Sequence, residues 1–185
     1  MVNFTSNTYQ MKREILSFSN KISKHLSKPD KKFSADMTYG MLAAGSCLLT
    51  DVVEQLHEDT KKVNSVERLT RHLNNGTSFT ALKSYLTAIR KWAPQEPVIH
   101  IDDSDVVKPD GYKFEALGLV RDGSKSTASK TVYEKGYHVT EACVLTKNNH
   151  PVSIFSKIHS SKEKNFTSNN DVTFSAMERG TGLNP

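Results

Sequence analysis

The hydrophobic period of this chain changes once, at a short segment that contains Pro94 and Pro97. Before that segment, apolar residues recur every three or four positions, as in amphipathic helices, and after it they alternate with polar residues, as in strands. We therefore predict an α+β protein with an all-helical domain over residues 1–93, a linker over 94–97 and a sheet-containing domain over 98–185.

The first domain has the pattern of four helices. Asn64 and Glu67 have the spacing of a capping box and predict the start of the third helix, and Ser34 is a candidate cap for the second. The predicted helices cover about residues 11–26, 35–57, 65–73 and 79–92. The last two, joined by a short turn with Gly76, have the outline of a helix-turn-helix, although an αα-hairpin that only packs a bundle explains the same spacing.

Positive charge is concentrated in the helical domain. Residues 1–93 carry 14 basic and 8 acidic side chains, a net of +6, whereas residues 94–185 carry 11 and 12, a net of −1. A basic surface attracts polyanions by releasing counterions from the phosphate backbone, so this asymmetry favours DNA as a partner, with solvated helix faces as the alternative. The predicted DNA-contacting residues here are Arg68, Arg71, Lys83, Arg90 and Lys91.

The second domain begins with a β-rich run, residues 98–101, followed at once by Asp102, Asp103 and Asp105. Three carboxylates at a strand tip repel one another unless a cation neutralises them, and Mg²⁺ is held by one or two protein carboxylates together with substrate phosphate oxygens. A metal-assisted phosphoryl transfer is one prediction, and an Asp-rich turn that caps backbone amides is the other. Further strands are predicted over 137–145 and 151–158 as an antiparallel hairpin, with a loop over 118–135.

Two general motifs can be compared with the acidic run. The calcium-loop pattern fails, because Val107 and Lys108 occupy its fifth and sixth positions. The run from Asp103 to Val107 matches the Asp-x-Asp-x-Val signature of haloacid-dehalogenase-like phosphatases. Those enzymes place the signature on the first strand of a parallel sheet, which this chain is not predicted to have.

Four spaced blocks of the sequence, taken in order, resemble bacterial insertion-sequence transposases of the DDE class. The blocks are residues 98–109, 114–124, 134–139 and 158–166. The resemblance implies a helical DNA-binding region followed by a truncated ribonuclease H-like domain with a three-stranded, largely antiparallel sheet. It also implies a catalytic, metal-binding Asp at 103, with Asp102 and Asp105 as alternatives, and Mg²⁺ or Mn²⁺ as the metal.

The family pattern has a second Asp and a Glu, which should lie beyond Pro185. Glu178-Arg179-Gly180 imitates the motif of the second Asp but follows a predicted helix instead of a strand, so Glu178 is not assigned as a ligand. The implied function is a DNA transposase that is truncated and catalytically incomplete, so that metal binding by this chain alone would be weak or absent. A non-catalytic DNA-binding remnant or regulator of transposition is the alternative, and a phosphatase is the third possibility.

The remaining assignments concern partners and compartment. The expected nucleic-acid partner is DNA at the element ends, contacted by Lys108 as well as by the helical residues. The expected protein partner is a second copy of the chain or the full-length transposase. Asp105 is assigned to the metal together with Asp103. Without an apolar run of about 18 residues or a signal-like N-terminus, we expect no membrane partner and a bacterial cytoplasmic, nucleoid-associated protein. Cys47 and Cys143 are predicted to be buried thiols, and the helical half is expected to fold better than the sheet half.

Overall fold

The computed structural model of the chain describes residues 4–76 and 78–181. It confirms an α+β fold. The chain divides into two compact units, Met1–Ala88 and Ile89–Pro185. The division therefore falls within the last turn of a helix and precedes the proline segment 94–97 where the sequence pattern changes.

Within the residues that the structure describes, five helices form the first part of the chain. They are α1 (Phe4–Ile22), α2 (Lys28–Ala44), α3 (Leu49–Leu56), α4 (Lys62–Asn75) and α5 (Phe79–Arg90). The single helix predicted over 35–57 is two helices, because Gly45 adopts a left-handed conformation (φ 61°) that ends α2. Glycine takes this conformation without the steric cost that a Cβ imposes.

Two helix starts differ from the prediction. Ser27, and not Ser34, caps α2 by accepting the backbone N–H of Asp30 at 3.3 Å, and Pro29 lies in the first turn, where its missing N–H costs nothing. Helix α4 begins at Lys62 and its N-cap residue makes no side-chain cap, so the predicted capping box at Asn64 was wrong.

The core of the helical unit lies where α2, α3 and α4 meet. Val52, Val53 and Leu69 are its buried residues. The partly buried side chains packed around them are Phe33, Met37, Met41, Leu49 and Val66. Helices α2 and α3 approach closely at Gly40, where a Cβ would stand 2.5 Å from Cγ1 of Val52.

The described part of the second unit contains a four-stranded antiparallel sheet and one helix in addition to the end of α5. The strands are β1 (Ile99–Val107), β2 (Gly118–Arg121), β3 (Tyr133–Leu145) and β4 (Pro151–His159), and the helix is α6 (Asn169–Thr181). Strand β3 is central, with β1 on one side and β2 and β4 in succession on the other. The prediction of three strands was wrong, since the segment 118–135 that was predicted to be a loop contains β2 and the first residues of β3.

The two faces of the sheet differ in burial. The buried residues of β3, Gly136, Thr140, Ala142 and Val144, all lie on one face, and helix α6 packs on this face through Val172 and Ala176, which are 4% and 0% exposed. On the opposite face, Leu119 and Ile158 remain 65% and 63% exposed. Side chains on the covered face therefore have more neighbouring residues to contact than side chains on the exposed face.

Two smaller expectations concern cysteine and membranes. Cys47 is exposed and Cys143 is only half-buried, so the prediction of two buried thiols was wrong. Within the described residues, the helices all fall short of the length and apolar character that crossing a bilayer requires.

Candidate functional site

The three carboxylates of the acidic run lie inside a strand and not at its tip. Strand β1 continues through the run to Val107, which places Asp103 at the middle of a strand that pairs with β3. Successive side chains of a strand point to opposite faces, so Asp103 and Asp105 share the covered face and Asp102 lies on the other. The expectation of a carboxylate projecting from a strand tip was wrong.

The partners of Asp103 come from β3 and β4. Asp103 is paired in register with Thr140, and the Thr140 hydroxyl donates to Oδ1 of Asp103 at 2.5 Å. The same hydroxyl oxygen lies 2.9 Å from Nε2 of His159. Thr140 and His159 are each 1% exposed. A buried pair thus holds one oxygen of the carboxylate, while Oδ2 of Asp103 has no hydrogen-bond partner among the described residues.

Asp105 is held differently, because both of its oxygens are engaged. Oδ1 lies 2.7 Å from Nδ1 of His138, its partner in register on β3, and Oδ2 accepts the backbone N–H of Arg121 at 3.2 Å. These contacts reduce the repulsion between Asp103 and Asp105 without any cation. Asp102 is paired in register with Glu141, and its carboxylate has no hydrogen-bond partner among the described residues.

The imidazole of His159 is enclosed by aromatic rings. It stacks on Phe166 with ring centroids 6.0 Å apart, and the ring of His138 lies at 5.6 Å. Burial lowers the pKa of His159, and the charge of a protonated His138 would lower it further, with Asp103 acting in the opposite direction. These surroundings favour the neutral form of the His159 imidazole.

The fit of this site to Mg²⁺ or Mn²⁺ is partial. In the described parts of the chain, no three His, Cys, Asp or Glu side chains are grouped so that they could hold a metal ion. Asp103 offers one uncommitted carboxylate oxygen, which suits an ion that takes few protein ligands and completes its shell with water and phosphate oxygens. The residues present match one ligand of such an ion and not a complete site.

A second candidate surface lies in the helical unit, in a groove of about 630 Å³ between α1 and α5. Lys21 of α1 and His25 in the turn after it line one side and Lys83 of α5 the other, and none of the three is ion-paired with a described residue. The hydroxyl-bearing residues of α5 that complete the lining are Thr80, Ser84 and Thr87. Cations and hydroxyls along a groove are the groups that contact phosphate oxygens in protein–DNA complexes.

The other predicted DNA contacts are not gathered into this groove. Arg68 is engaged inside the helical unit, with Nη1 2.7 Å from Asp36 and Nη2 3.0 Å from Glu58, and it is only 28% exposed. The remaining four are exposed: Arg71 on α4, Arg90 at the end of α5, Lys91 with its ammonium 5.0 Å from the Trp92 ring centroid, and Lys108 just after β1.

Sequence reasoning missed two parts of these sites. His138 and His159 lie in segments that were quoted for the transposase resemblance, and Thr140 directly follows one of them, but a single sequence does not show which of these residues face Asp103. The signal available was the alternation along β3, which places His138 and Thr140 on one face. Lys21 was missed because the helix-turn-helix interpretation directed attention to α4 and α5 and away from α1.

Comparison with known proteins identified no relative of this chain. No protein-family model matches the chain, and neither the curated proteins nor the solved structures contain a match. The proposals below therefore depend on the residues and their geometry together with the sequence resemblance.

Proposed function

We propose that this chain is the DNA-binding part and the first catalytic strand of a DDE-class insertion-sequence transposase, with a ribonuclease H-like core of which it supplies one metal-binding carboxylate. The observation that carries the DNA-binding part is the α1–α5 groove, whose Lys21 and Lys83 have no anionic partner among the described residues. Unpaired cations are available to phosphates, whereas the guanidinium of Arg68 is already paired with two carboxylates.

The catalytic part depends on Asp103. Its position on β1 of an antiparallel sheet, with one oxygen held and one uncommitted, supports Asp103 as the metal ligand. Asp105 is less suited because His138 and Arg121 already use both of its oxygens, and Asp102 lies on the other face. A bound Mg²⁺ or Mn²⁺ would polarise a phosphate oxygen of the DNA and activate the attacking hydroxyl or water.

The role of the protein residues is to bind and orient. The groove cations would hold the duplex by its backbone without reading sequence, and Thr140 would keep the Asp103 carboxylate in one rotamer. A single carboxylate does not fix two metal ions about 4 Å apart, so we expect no strand transfer by these 185 residues alone. Cleavage would require further metal-binding carboxylates beside Asp103.

DNA binding can be tested by fluorescence anisotropy with a labelled 30-base-pair duplex of random sequence at several KCl concentrations. We expect Lys21→Gln/Lys83→Gln to weaken binding about tenfold or more and to reduce the salt slope by about 2, because each lost phosphate contact removes about 0.9 from it. The charge-matched control is Lys61→Gln/Lys62→Gln, at the start of α4 and outside the groove. Equal losses in both double variants would show that the groove is not the binding surface.

The non-catalytic alternative, a DNA-binding remnant or regulator, shares the groove and differs at Asp103. The two possibilities can be separated by incubating the chain with supercoiled plasmid and Mn²⁺. A second polypeptide, an intact transposase whose own first Asp has been replaced, is added to supply the other carboxylates. Nicking that depends on Asp103 supports the catalytic role, and DNA binding without any Asp103-dependent nicking supports the regulator. The antiparallel sheet gives no support to the phosphatase.

A further inference from the structure

The hydrogen bonds around Asp103 determine the proton positions on His159. An ionised carboxylate only accepts hydrogen bonds, so the single proton of the Thr140 hydroxyl must point to Oδ1 of Asp103 at 2.5 Å. The contact of 2.9 Å between Thr140 Oγ1 and His159 Nε2 then requires a proton on Nε2. In a neutral imidazole this leaves Nδ1 without a proton.

The surroundings of His159 are consistent with that tautomer. Nδ1 is a buried nitrogen with no hydrogen-bond partner in the described structure, and no carboxylate or carbonyl accepts a proton from it. A proton on Nδ1 would be buried without an acceptor, which is costly in a site of low polarity. The stacked Phe166 ring and the burial of the imidazole also keep the ring from turning.

We infer that His159 is a positioning residue: its Nε2–H, acting through the Thr140 hydroxyl, fixes the Asp103 carboxylate so that Oδ2 is the oxygen presented outward. The chain of contacts joins three strands, since Asp103 lies on β1, Thr140 on β3 and His159 at the end of β4. The direction of each hydrogen bond follows from the one before it. The Asp103 carboxylate accepts the proton of the Thr140 hydroxyl, so the hydroxyl oxygen can only accept from Nε2–H of His159.

This arrangement distinguishes Asp103 from its neighbour on the same face. Each oxygen of Asp105 already has a hydrogen-bond partner, whereas the His159–Thr140 pair engages one oxygen of Asp103 and leaves the other without a partner among the described residues. Hydrogen-bond partners behind a metal-binding carboxylate set its orientation, and their loss commonly weakens metal binding about 10–100-fold. The inference depends on the proposed function only for the identity of that ligand, a divalent cation.

The test uses the full chain and has two independent readouts. The first is the ¹⁵N pattern of the His159 ring at pH 7.5, which distinguishes the Nε2–H tautomer from the Nδ1–H tautomer and from imidazolium, together with the ¹³C resonance of the Asp103 carboxyl. The second is the affinity for Mn²⁺ alone, measured by line broadening of the amides around Asp103. We expect the Nε2–H tautomer in the wild type and a shifted Asp103 resonance in Thr140→Val.

The variants separate positioning from simple packing. His159→Gln keeps an N–H close to the position of Nε2, whereas His159→Asn does not, so we expect Gln to retain the Asp103 resonance and Asn to lose it. Mn²⁺ affinity should fall about tenfold in Thr140→Val and His159→Asn. The control His150→Gln, in the exposed turn before β4, should change neither readout.

Two results would overturn the inference. One is an Nδ1–H or charged His159 in the folded wild type, and the other is an unchanged Asp103 resonance in folded Thr140→Val. A thermal melt of each variant identifies any that fail to fold. If Thr140→Val does not fold, Thr140→Ser takes its place. Because Ser keeps the hydroxyl, we expect the Asp103 carboxyl resonance of Thr140→Ser to stay at its wild-type position. If Mn²⁺ does not broaden the wild-type amides while the tautomer and the Asp103 shift are as expected, the metal part of the proposed function fails and the positioning role stands.

Discussion

Carboxylates in this protein differ in behaviour because their neighbours differ. Asp103 and Asp105 are held by β3 and its neighbouring strands, and Glu58 lies in an ion-pair network with Lys32 and Arg68. Asp102 is opposite Glu141 and has no partner among the described residues. These contrasts lead to two predictions at the scale of single residues.

Replacing Asp102 should stabilise the protein. Like charges directly opposite each other on adjacent strands are unfavourable, and Thr has a higher strand propensity than Asp, so we expect Asp102→Thr to raise the free energy of unfolding by about 0.3–1 kcal/mol. Urea denaturation measures this change. The control Asp59→Thr, in an exposed segment outside the sheet, should leave the midpoint unaltered. A decrease in stability for Asp102→Thr would mean that Asp102 has a favourable partner that the structure does not show.

The stability of the helical unit should fall in acid through Glu58. Hydrogen bonds from Lys32, Ser65 and Arg68 lower the pKa of Glu58 from 4.5 to about 2. Because the folded state holds this carboxylate ionised while the unfolded state protonates it, its contribution is complete above about pH 4.5 and is lost as the pH falls towards 2.

Glu58→Gln is the variant that isolates this effect. It should cost about 1–3 kcal/mol at pH 7, since hydrogen bonds to a charged group are replaced by weaker ones, and it should flatten the acid limb of the stability profile. Thermal melts of both proteins from pH 2 to 7 measure the difference. Parallel profiles for the two proteins would contradict the assignment.

At the scale of elements, strand β3 organises the second unit, because all the other strands pair with it. Its register brings together residues that are far apart in sequence, such as Asp103 and Thr140. Close approach of the strands depends on Gly136, where a Cβ would stand 2.5 Å from Cγ2 of Val120 and still closer to the carbonyl oxygen of Val106.

Gly136→Ala should therefore destabilise the sheet. The added methyl group meets a backbone carbonyl that cannot move without disturbing the pairing of β1 with β3, and overpacking of this kind costs about 1–3 kcal/mol. Chemical denaturation monitored by circular dichroism gives the value. Gly123→Ala is a matched control, since a Cβ at that position has no atom within 4 Å, and we expect it to be neutral. Equal effects of the two substitutions would show that β1 and β3 are packed less closely at Gly136.

The predictability of the elements followed the strength of the local signals. Helical and alternating periods along the chain predicted the α+β class, the helical first half and the hairpin of β3 and β4. Strand β2 was missed because its few residues lie among glycines, lysines and serines, and only pairing with β3 makes them a strand. The break between α2 and α3 was missed because apolar residues continue across Gly45.

At the scale of the whole molecule, each unit has a core of its own. The helical core consists of Val52, Val53 and Leu69, and most of the fully buried apolar residues of the second unit lie along its sheet and helix α6. These apolar residues are Val120, Ala142, Val144, Ile154, Val172 and Ala176, and Ile89 in the last turn of α5 joins them. This distribution of buried residues does not favour the expectation that the helical half folds better than the sheet half.

Native-state hydrogen exchange should find the slowest amides in the second unit. Residues 140–144 of β3 are paired on both sides, and Thr140, Ala142 and Val144 are at most 2% exposed, so their exchange should require the largest opening. Amides of α1, much of whose surface is exposed, should exchange faster. Slower exchange in α1 than in β3 would restore the original expectation.

The linear order of residues was enough to determine the fold class and the concentration of positive charge in the first half, because period and charge are local properties. Tertiary structure alone decided which carboxylate keeps a free oxygen, since Thr140 and His159 reach Asp103 only through the pairing of three strands. The same holds for Lys21 and Lys83, which line one groove although about sixty positions separate them in the chain. Strand register and helix packing are set by the burial of side chains from several elements at once, and no single segment contains that information.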